Sequence, residues 1–192
     1  MKTTIKTMTG LALMTLLAGC VVTSVYPFYT AKDVQFDPAL VGTWAEAGST
    51  NAANDHWRFD RLNPQSYWLT TVENSETNRY ETHRFRLKQH VFLDLCATNR
   101  MEDHLPLHYL MKLENTGSKL QVKALNFEWL AKLLEKKPKA LRHILVPNEP
   151  GNTNNNQLVL TADTPELQKF ILKHINDTNA FGEATELTRW KD

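Results

Sequence analysis

The chain has 192 residues, 42% of them hydrophobic, and its 22 basic residues nearly balance its 21 acidic ones. This length suits a single domain with a sizeable core, and the composition, with 22% charged residues, is neither that of a disordered chain nor that of collagen. The near-zero net charge argues against a nucleic-acid-binding protein, which carries a basic excess to neutralise phosphates.

Residues 1–19 have the features of a secretory signal peptide. Lys2 and Lys6 form a positively charged start, and residues 7–19 are a mostly apolar run of 13. Such a run matches the apolar region of a signal peptide and is shorter than the roughly 20 residues that span a bilayer. The alternative is a buried N-terminal helix, but the small residues at the end of the run favour cleavage.

The run ends in Leu17-Ala18-Gly19-Cys20, which fits the pattern L-[AS]-[GA]-C at every position. This tetrapeptide resembles the lipobox of bacterial lipoproteins. The resemblance implies that a diacylglyceryl group is attached to the Cys20 thiol, that residues 1–19 are removed, and that the new amino group is acylated, typically with palmitate. Two or more acyl chains, at about 0.8 kcal/mol per buried CH₂, hold a protein on a membrane.

Val21 follows the acylated position, where the same family uses Asp as the signal for retention in the inner membrane. The resemblance therefore implies an outer-membrane protein of the bacterial cell envelope that faces the periplasm.

Acylation of Cys20 leaves Cys96 as the only other thiol, so no disulfide within the chain is expected. Stability must then come from the core. Cys96 ends the run Val91-Phe92-Leu93-Asp94-Leu95-Cys96, and a buried, inert cysteine is favoured over a reactive one.

Two parts of the mature chain differ in character. Residues 20–35 form a lipid-anchored N-terminal segment, whose aromatic residues either lie against lipid headgroups or, as we favour, pack on the domain. Residues 36–192 contain no repeat and no linker, which predicts one β-rich domain.

The first half of that domain alternates between apolar and polar residues, as half-buried strands do. A short turn at Asp37-Pro38 precedes a strand through Trp44, and further strands are predicted over 56–62 and 67–72. Two hairpins follow, over 80–97 and 109–124, the second turning at 115–118.

The apolar spacing becomes helical after residue 125. Asn126 is the expected N-cap of a helix that Pro138 ends, and a second short helix is predicted over 140–145. Residues 148–157 are expected to be a polar surface loop, before a strand over 158–161. Thr164-Pro165 opens a helix with an amphipathic stripe of Leu167, Phe170, Ile171, His174 and Ile175. A last strand is predicted over 185–190.

These elements amount to eight or nine strands and two or three helices, a mainly β (α+β) fold. An antiparallel barrel of about eight strands fits best, because closure removes the exposed edges of hydrophobic strands.

Gly42-Thr43-Trp44 stands at the start of this strand series and resembles the G-x-W signature of lipocalins and related calycins. The resemblance implies a lipocalin-like barrel in which Trp44 closes one end and the lumen holds a small apolar ligand. Arg189 resembles the Arg that caps this Trp in the family, although in this chain it follows the last predicted helix. The residues that would bind a ligand are not specified.

No motif for metal binding or catalysis is apparent. His104 and His108 have the spacing of zinc ligands on a helix, but Pro106 lies between them and Leu105 stands where a Glu is required. No Ser lies in G-x-S-x-G or S-x-x-K, and no Gly-rich phosphate loop is present. We therefore expect no catalytic residues, no metal and no cofactor.

The leading functional hypothesis is a membrane-anchored, non-enzymatic envelope lipoprotein that binds a small apolar ligand or a lipid. The alternative is a structural or interaction subunit of an envelope protein assembly, and an uncharacterised periplasmic enzyme is a third. The basic segment 129–142 either contacts anionic lipid or, as we favour, is the solvated face of a packed helix.

Replacing the predicted acylation site tests the anchor directly. We expect metabolic labelling with an alkyne-tagged fatty acid to mark the natural chain and to be lost in Cys20→Ala, because the thioether to the lipid cannot form. Cys96→Ala is the matched control and keeps the label. Equal labelling of the natural chain and Cys20→Ala would contradict the assignment.

Overall fold

The computed structural model describes residues 22–46, 55–73, 75–98, 105–115, 117–149 and 152–190. The predicted signal peptide, Cys20, Val21 and His104 lie outside these ranges. Neither α-helix in the described part of the chain has the length and hydropathy needed to cross a membrane.

Strands make up most of the described ranges. In chain order they are β1 (Val22–Ser24), β2 (Gly42–Glu46), β3 (His56–Arg61), β4 (Tyr67–Glu73), β5 (Glu76–Leu87), β6 (His90–Ala97), β7 (His108–Asn115), β8 (Lys119–Ala124), β9 (His143–Glu149), β10 (Asn152–Leu160) and β11 (Thr185–Arg189). The α-helices are α1 (Phe127–Lys136) and α2 (Thr164–His174), and short 3₁₀ helices cover Pro38–Leu40 and Pro138–Ala140.

Eight of these strands form a closed antiparallel barrel. Strands β2 to β8 pair in chain order, and β11 pairs with both β8 and β2 and so completes the ring. The helices α1 and α2 and the strands β9 and β10 are an insertion between β8 and β11. The predicted mainly β fold, a lipocalin-like barrel of about eight strands with two or three helices, is confirmed.

The barrel wall has an apolar layer on each side, because alternate residues of a strand face opposite ways. The inner layer includes Trp44, Trp57, Phe59, Leu69 and Leu93, all buried. The outer layer lies on β5, β6 and β7 and is covered by the inserted elements. It is formed around Phe85, Leu87, Phe92 and Leu110, against Leu130, Leu134, Leu167, Phe170 and Ile171 of the two helices.

The helices begin and cover the wall as their sequences predict. The Asn126 side chain accepts the N–H of Trp129 at 3.1 Å as the N-cap of α1. The Asp163 side chain caps α2 by accepting the N–H of Glu166 at 3.0 Å. The stripe of α2 buries Leu167, Phe170 and Ile171.

A three-stranded extension stands beside the barrel. β1 runs parallel to β10, with Val22 opposite Leu158, and reaches β7 where Ser24 pairs with His108. β9 forms a hairpin with β10 and is the outer edge of the extension.

The predictions for this extension were wrong in two places. The short helix expected over 140–145 is absent: a 3₁₀ turn ends at Ala140, and β9 begins at His143. The polar stretch 148–157, expected to be a surface loop, lies largely within the β9–β10 hairpin. Pairing of the apolar run 144–146 with residues 157–159 overrides the low strand propensity of the neighbouring asparagines.

The segment between β1 and β2 is held against the outside of the wall by one buried carboxylate. Asp94 is fully buried, its Oδ2 accepts the N–H of Phe28 at 2.8 Å, and its Oδ1 lies 2.7 Å from His108 Nδ1. Phe28 is itself fully buried, and Val34 makes an isolated β-bridge with Phe85.

Removing the Asp94 carboxylate is expected to destabilise the fold. Asp94→Ala leaves the Phe28 N–H and His108 without their buried partner, which we expect to cost about 2–4 kcal/mol in the free energy of unfolding, measured by urea titration. The control is Asp60→Ala, which breaks the exposed pair with Arg58 and should cost less than about 1 kcal/mol. Equal losses in the two variants would contradict this role.

Candidate functional site

One end of the barrel is closed by the chain that leads into β2; we call it the closed end. The Tyr67 hydroxyl accepts the N–H of Asp37 at 2.6 Å and donates to its carbonyl at 3.1 Å, and Phe36 stacks on the Tyr67 ring at 4.6 Å. The Asp37 side chain accepts the N–H of Ala39 at 3.0 Å, and Leu40 is fully buried in the inner layer.

Contacts between Trp44, Arg189 and the chain before β2 hold this end together, and we call them the lock. The indole N–H of Trp44 donates to the Leu40 carbonyl at 2.9 Å, and the Arg189 guanidinium lies over the Trp44 ring, 4.4 Å from its centroid. Arg189 also donates to the Val41 carbonyl at 2.9 Å and to the Ala39 carbonyl. Arg189 is the last residue of β11, the strand that closes the barrel, and α2 precedes that strand.

Gly42 is required beneath this lock for two reasons. Its φ is +129°, a backbone conformation that other residues rarely adopt. A Cβ at this position would lie 2.5 Å from Arg189 Nη1. The sequence motif Gly42-Thr43-Trp44 is therefore part of the closure, at a position where it does not face a ligand.

Large side chains fill the interior next to the closed end. The fully buried members of the inner layer are Leu40, Trp44, Phe59, Tyr67, Leu69, Leu93 and Leu120. Phe59 and Tyr67 meet edge to face at 6.1 Å. This half of the barrel is a packed floor.

The opposite end of the barrel, where β2 ends at Glu46 and β4 ends at Glu73, is called the mouth. Tyr80 and Tyr109 are at interior positions, with Tyr80 opposite Leu69 and Tyr109 opposite Leu95. Their rings meet edge to face at 6.2 Å, and each is only partly buried. Burial raises the pKa of both phenols, so both are neutral near pH 7.

Four buried side-chain polar atoms have no hydrogen-bond partner among the described residues, and they belong to Trp57, Ser66, Thr82 and His90. The two on the inner face are the indole N–H of Trp57, which is 2% exposed, and the hydroxyl of Thr82, which is fully buried. In the strand register Trp57 is opposite Trp44 and Thr71, and Thr82 is opposite Tyr67 and Leu95, so both belong to the inner face of the barrel. A buried polar group without a partner costs about 1–3 kcal/mol.

Carboxylates gather at the mouth. The pKa of Glu73 is raised above its usual value, first by burial and then by the negative charges of Asp55, Glu46 and Glu76. The four groups belong to the ends of β2, β3, β4 and β5, which the antiparallel register brings together. The carboxylates of Glu46, Asp55 and Glu76 therefore lie close enough at the mouth to influence the ionisation of Glu73.

A pocket of about 320 Å³ near the closed end is lined by Asp37, Arg84, Arg86, Val91, Leu113 and Gly117. Its two cations are already engaged: Arg84 donates to the Gln35 carbonyl at 3.1 Å and lies 3.8 Å from the Asp37 carboxylate, and Arg86 donates to Gln35 Oε1 at 2.9 Å. These contacts favour a structural role for both arginines.

The residues considered for metal or thiol chemistry lie on the outer wall. His108 is paired with Asp94, and Cys96 is partly exposed opposite His108 rather than buried as expected. No group of three or more His, Cys, Asp or Glu in the described ranges is arranged to hold a metal ion.

Comparison with models of protein families, with curated proteins and with solved structures finds no match to this chain. The barrel and the chemistry of its interior are therefore the basis for any functional assignment.

Sequence reasoning did not identify the residues of this candidate site. Tyr80 and Thr82 share one parity of β5, and Tyr109 has the parity of Met111 and Leu113 on β7. The available signal was the alternation of residues along β5 and β7. Alternation shows that a strand has two faces, but it does not show which face lines the barrel.

The requirement for Gly42 can be measured. We expect Gly42→Ala to lower the free energy of unfolding by about 1–3 kcal/mol. The added Cβ would strain a backbone at positive φ and would clash with the Arg189 guanidinium. Gly182→Ala is the control: the nearest atom would lie 3.8 Å from its Cβ, and the change should stay within about 0.5 kcal/mol. A neutral Gly42→Ala would show that the closed end is not locked as described.

Proposed function

We propose that this protein is a non-enzymatic bacterial envelope lipoprotein, acylated at Cys20 and held at the outer membrane facing the periplasm, whose barrel binds a small amphipathic ligand between the floor and the mouth. The observation that carries the ligand site is the pair of buried, unpartnered polar groups, on Trp57 and Thr82, on the same inner face as two partly buried tyrosines.

The interior chemistry supports an amphipathic ligand. Tyr80 and Tyr109 offer aromatic surface to an apolar body, and such contacts supply much of the affinity of small-molecule sites. The Trp57 N–H is a donor and the Thr82 hydroxyl is both a donor and an acceptor. A ligand with a polar acceptor at its inner end relieves the cost of leaving these groups unpaired.

The mouth supports a positively charged group at the outer end of the ligand. The carboxylates of Glu46, Asp55, Glu73 and Glu76 gather there, and a cation between them relieves the mutual repulsion that contributes to the raised pKa of Glu73. An anionic headgroup of the same length would meet that repulsion instead.

The short distance between the anchor and the folded chain supports the lipoprotein part of the proposal. β1 begins at Val22, two residues after Cys20, and it pairs with β10 and β7. The acyl chains would therefore hold the barrel close to the bilayer surface.

The ligand site is tested by calorimetric titration with dodecyltrimethylammonium below its micelle concentration. We expect binding to the natural protein, and about tenfold weaker binding to Tyr80→Ala and to Tyr109→Ala, because each loses an aromatic contact of roughly 1–1.5 kcal/mol. Tyr26→Ala is the control, since Tyr26 is exposed and lies outside the barrel. No binding, or equal affinity in all four proteins, would contradict the proposal.

The charge preference has its own pH signature in the same titration. Because the pKa of Glu73 is raised, its negative charge appears only above the pH at which an ordinary Glu ionises. Affinity for the cationic probe should therefore rise with pH through that range and become flatter in Glu73→Gln. Dodecyl sulfate should bind more weakly than the cationic probe at neutral pH.

A further inference from the structure

The β9–β10 hairpin carries an apolar strip at the edge of the sheet. Ile144 is 51% exposed, Leu145 is 54% exposed and Val146 is 38% exposed. Consecutive strand residues point to opposite faces, so these three side chains surround the edge of β9. We call residues 144–146 the edge strip.

An exposed apolar edge is unusual and calls for a partner. Natural sheets protect their edges with charges, prolines or covering elements, whereas the edge strip is three apolar residues in succession. Contiguous exposed apolar side chains mark sites that contact another molecule or a membrane.

The strand register brings the edge strip close to the proposed anchor. Val22 is opposite Leu158 on β10, and Leu158 is opposite Leu145 on β9. Two strand spacings place Leu145 about 10 Å from Val22. Cys20 precedes Val22 by two residues, which span at most about 7 Å of chain.

The direction of β1 also supports the closeness of the edge strip to the proposed anchor. Because β1 and β10 are parallel, the N-terminal end of β1, at Val22, is at the end of the extension where Gln157 pairs with Val146. Acyl chains on Cys20 would therefore enter a bilayer next to the edge strip.

The surroundings of the edge strip suit a lipid–water interface. Tyr26, which is 49% exposed, follows β1, and aromatic residues of this kind favour the headgroup region. The exposed Lys136, Lys137 and Lys139 come shortly before β9 in the chain and carry the positive charge that anionic headgroups attract.

We propose that the edge strip is a membrane-contact surface, which lies at the boundary between headgroups and acyl chains of the bilayer that holds Cys20. This inference rests on the acylation at Cys20 in the proposed function. It adds that the barrel docks in one orientation, with β9 against the bilayer, rather than moving freely on a tether.

The experiment uses the full chain, purified with its acyl chains and reconstituted into phosphatidylethanolamine–phosphatidylglycerol vesicles. Leu145→Cys in a Cys96→Ala background carries an environment-sensitive fluorophore, since the Cys20 thiol is blocked by lipid. The control position is Trp190→Cys, an exposed apolar residue next to the closed end. We expect lipid-borne nitroxides to quench the probe at 145 at least about threefold more than the probe at 190, and aqueous iodide to do the reverse.

Three results would overturn the inference. Equal quenching at 145 and 190, in protein whose acylation is verified by mass spectrometry, would remove the docking surface and leave the anchor and the ligand site in place. Protection of 145 from both quenchers would show that a protein, such as a second copy, covers β9 instead. Absence of acyl chains would remove the anchor together with this inference, while the calorimetric test of the barrel would be unaffected.

Discussion

The structure depends on the pairing of β11 with β2, which joins the last strand of the barrel to its first. The insertion of α1, β9, β10 and α2 separates β8 from β11 along the chain. Once β11 pairs with β2, Arg189 stacks on Trp44 and binds the carbonyls of residues 39 and 41, so the closed end and the ring are fixed together. Closure also leaves the barrel strands without a free edge, and the exposed edge of the sheet moves to β9.

Closure divides the apolar residues into two cores with different roles. The outer core joins the wall of β5 to β7 to the helices, and Asp94 holds the N-terminal segment against the same wall. Because the outer core supplies stability, the barrel interior can retain groups that are costly to bury, such as the Trp57 N–H. The unpartnered groups of Trp57 and Thr82 are on the inner face, which is why the interior is the candidate site and the lock at Gly42 is not.

Much of the fold could be predicted from the sequence, because it follows from local signals. Alternation located the hairpins, Asn126 and Thr164-Pro165 located the helix starts, and Gly42-Thr43-Trp44 suggested the barrel. Alternation could not say that Phe85 packs under the helices, outside the barrel, since only the long-range closure decides which face is inside. The site was missed for the same reason: Tyr80 and Tyr109 meet only through a register between distant strands. The hairpin at residues 143–160 was missed because its strand pairing outweighs the turn-forming tendency of its asparagines.

The two proposals, for the ligand site and for the edge strip, combine into one arrangement, in which a barrel docked beside its own acyl anchor would hold an amphiphile. The most direct test is an experimental structure of the acylated protein purified from its native membrane. We expect density for a bound amphiphile above Trp57, with a polar atom about 3 Å from the indole nitrogen and an apolar body against Tyr80 and Tyr109. A barrel whose own side chains fill that space up to the carboxylates of the mouth would contradict this expectation.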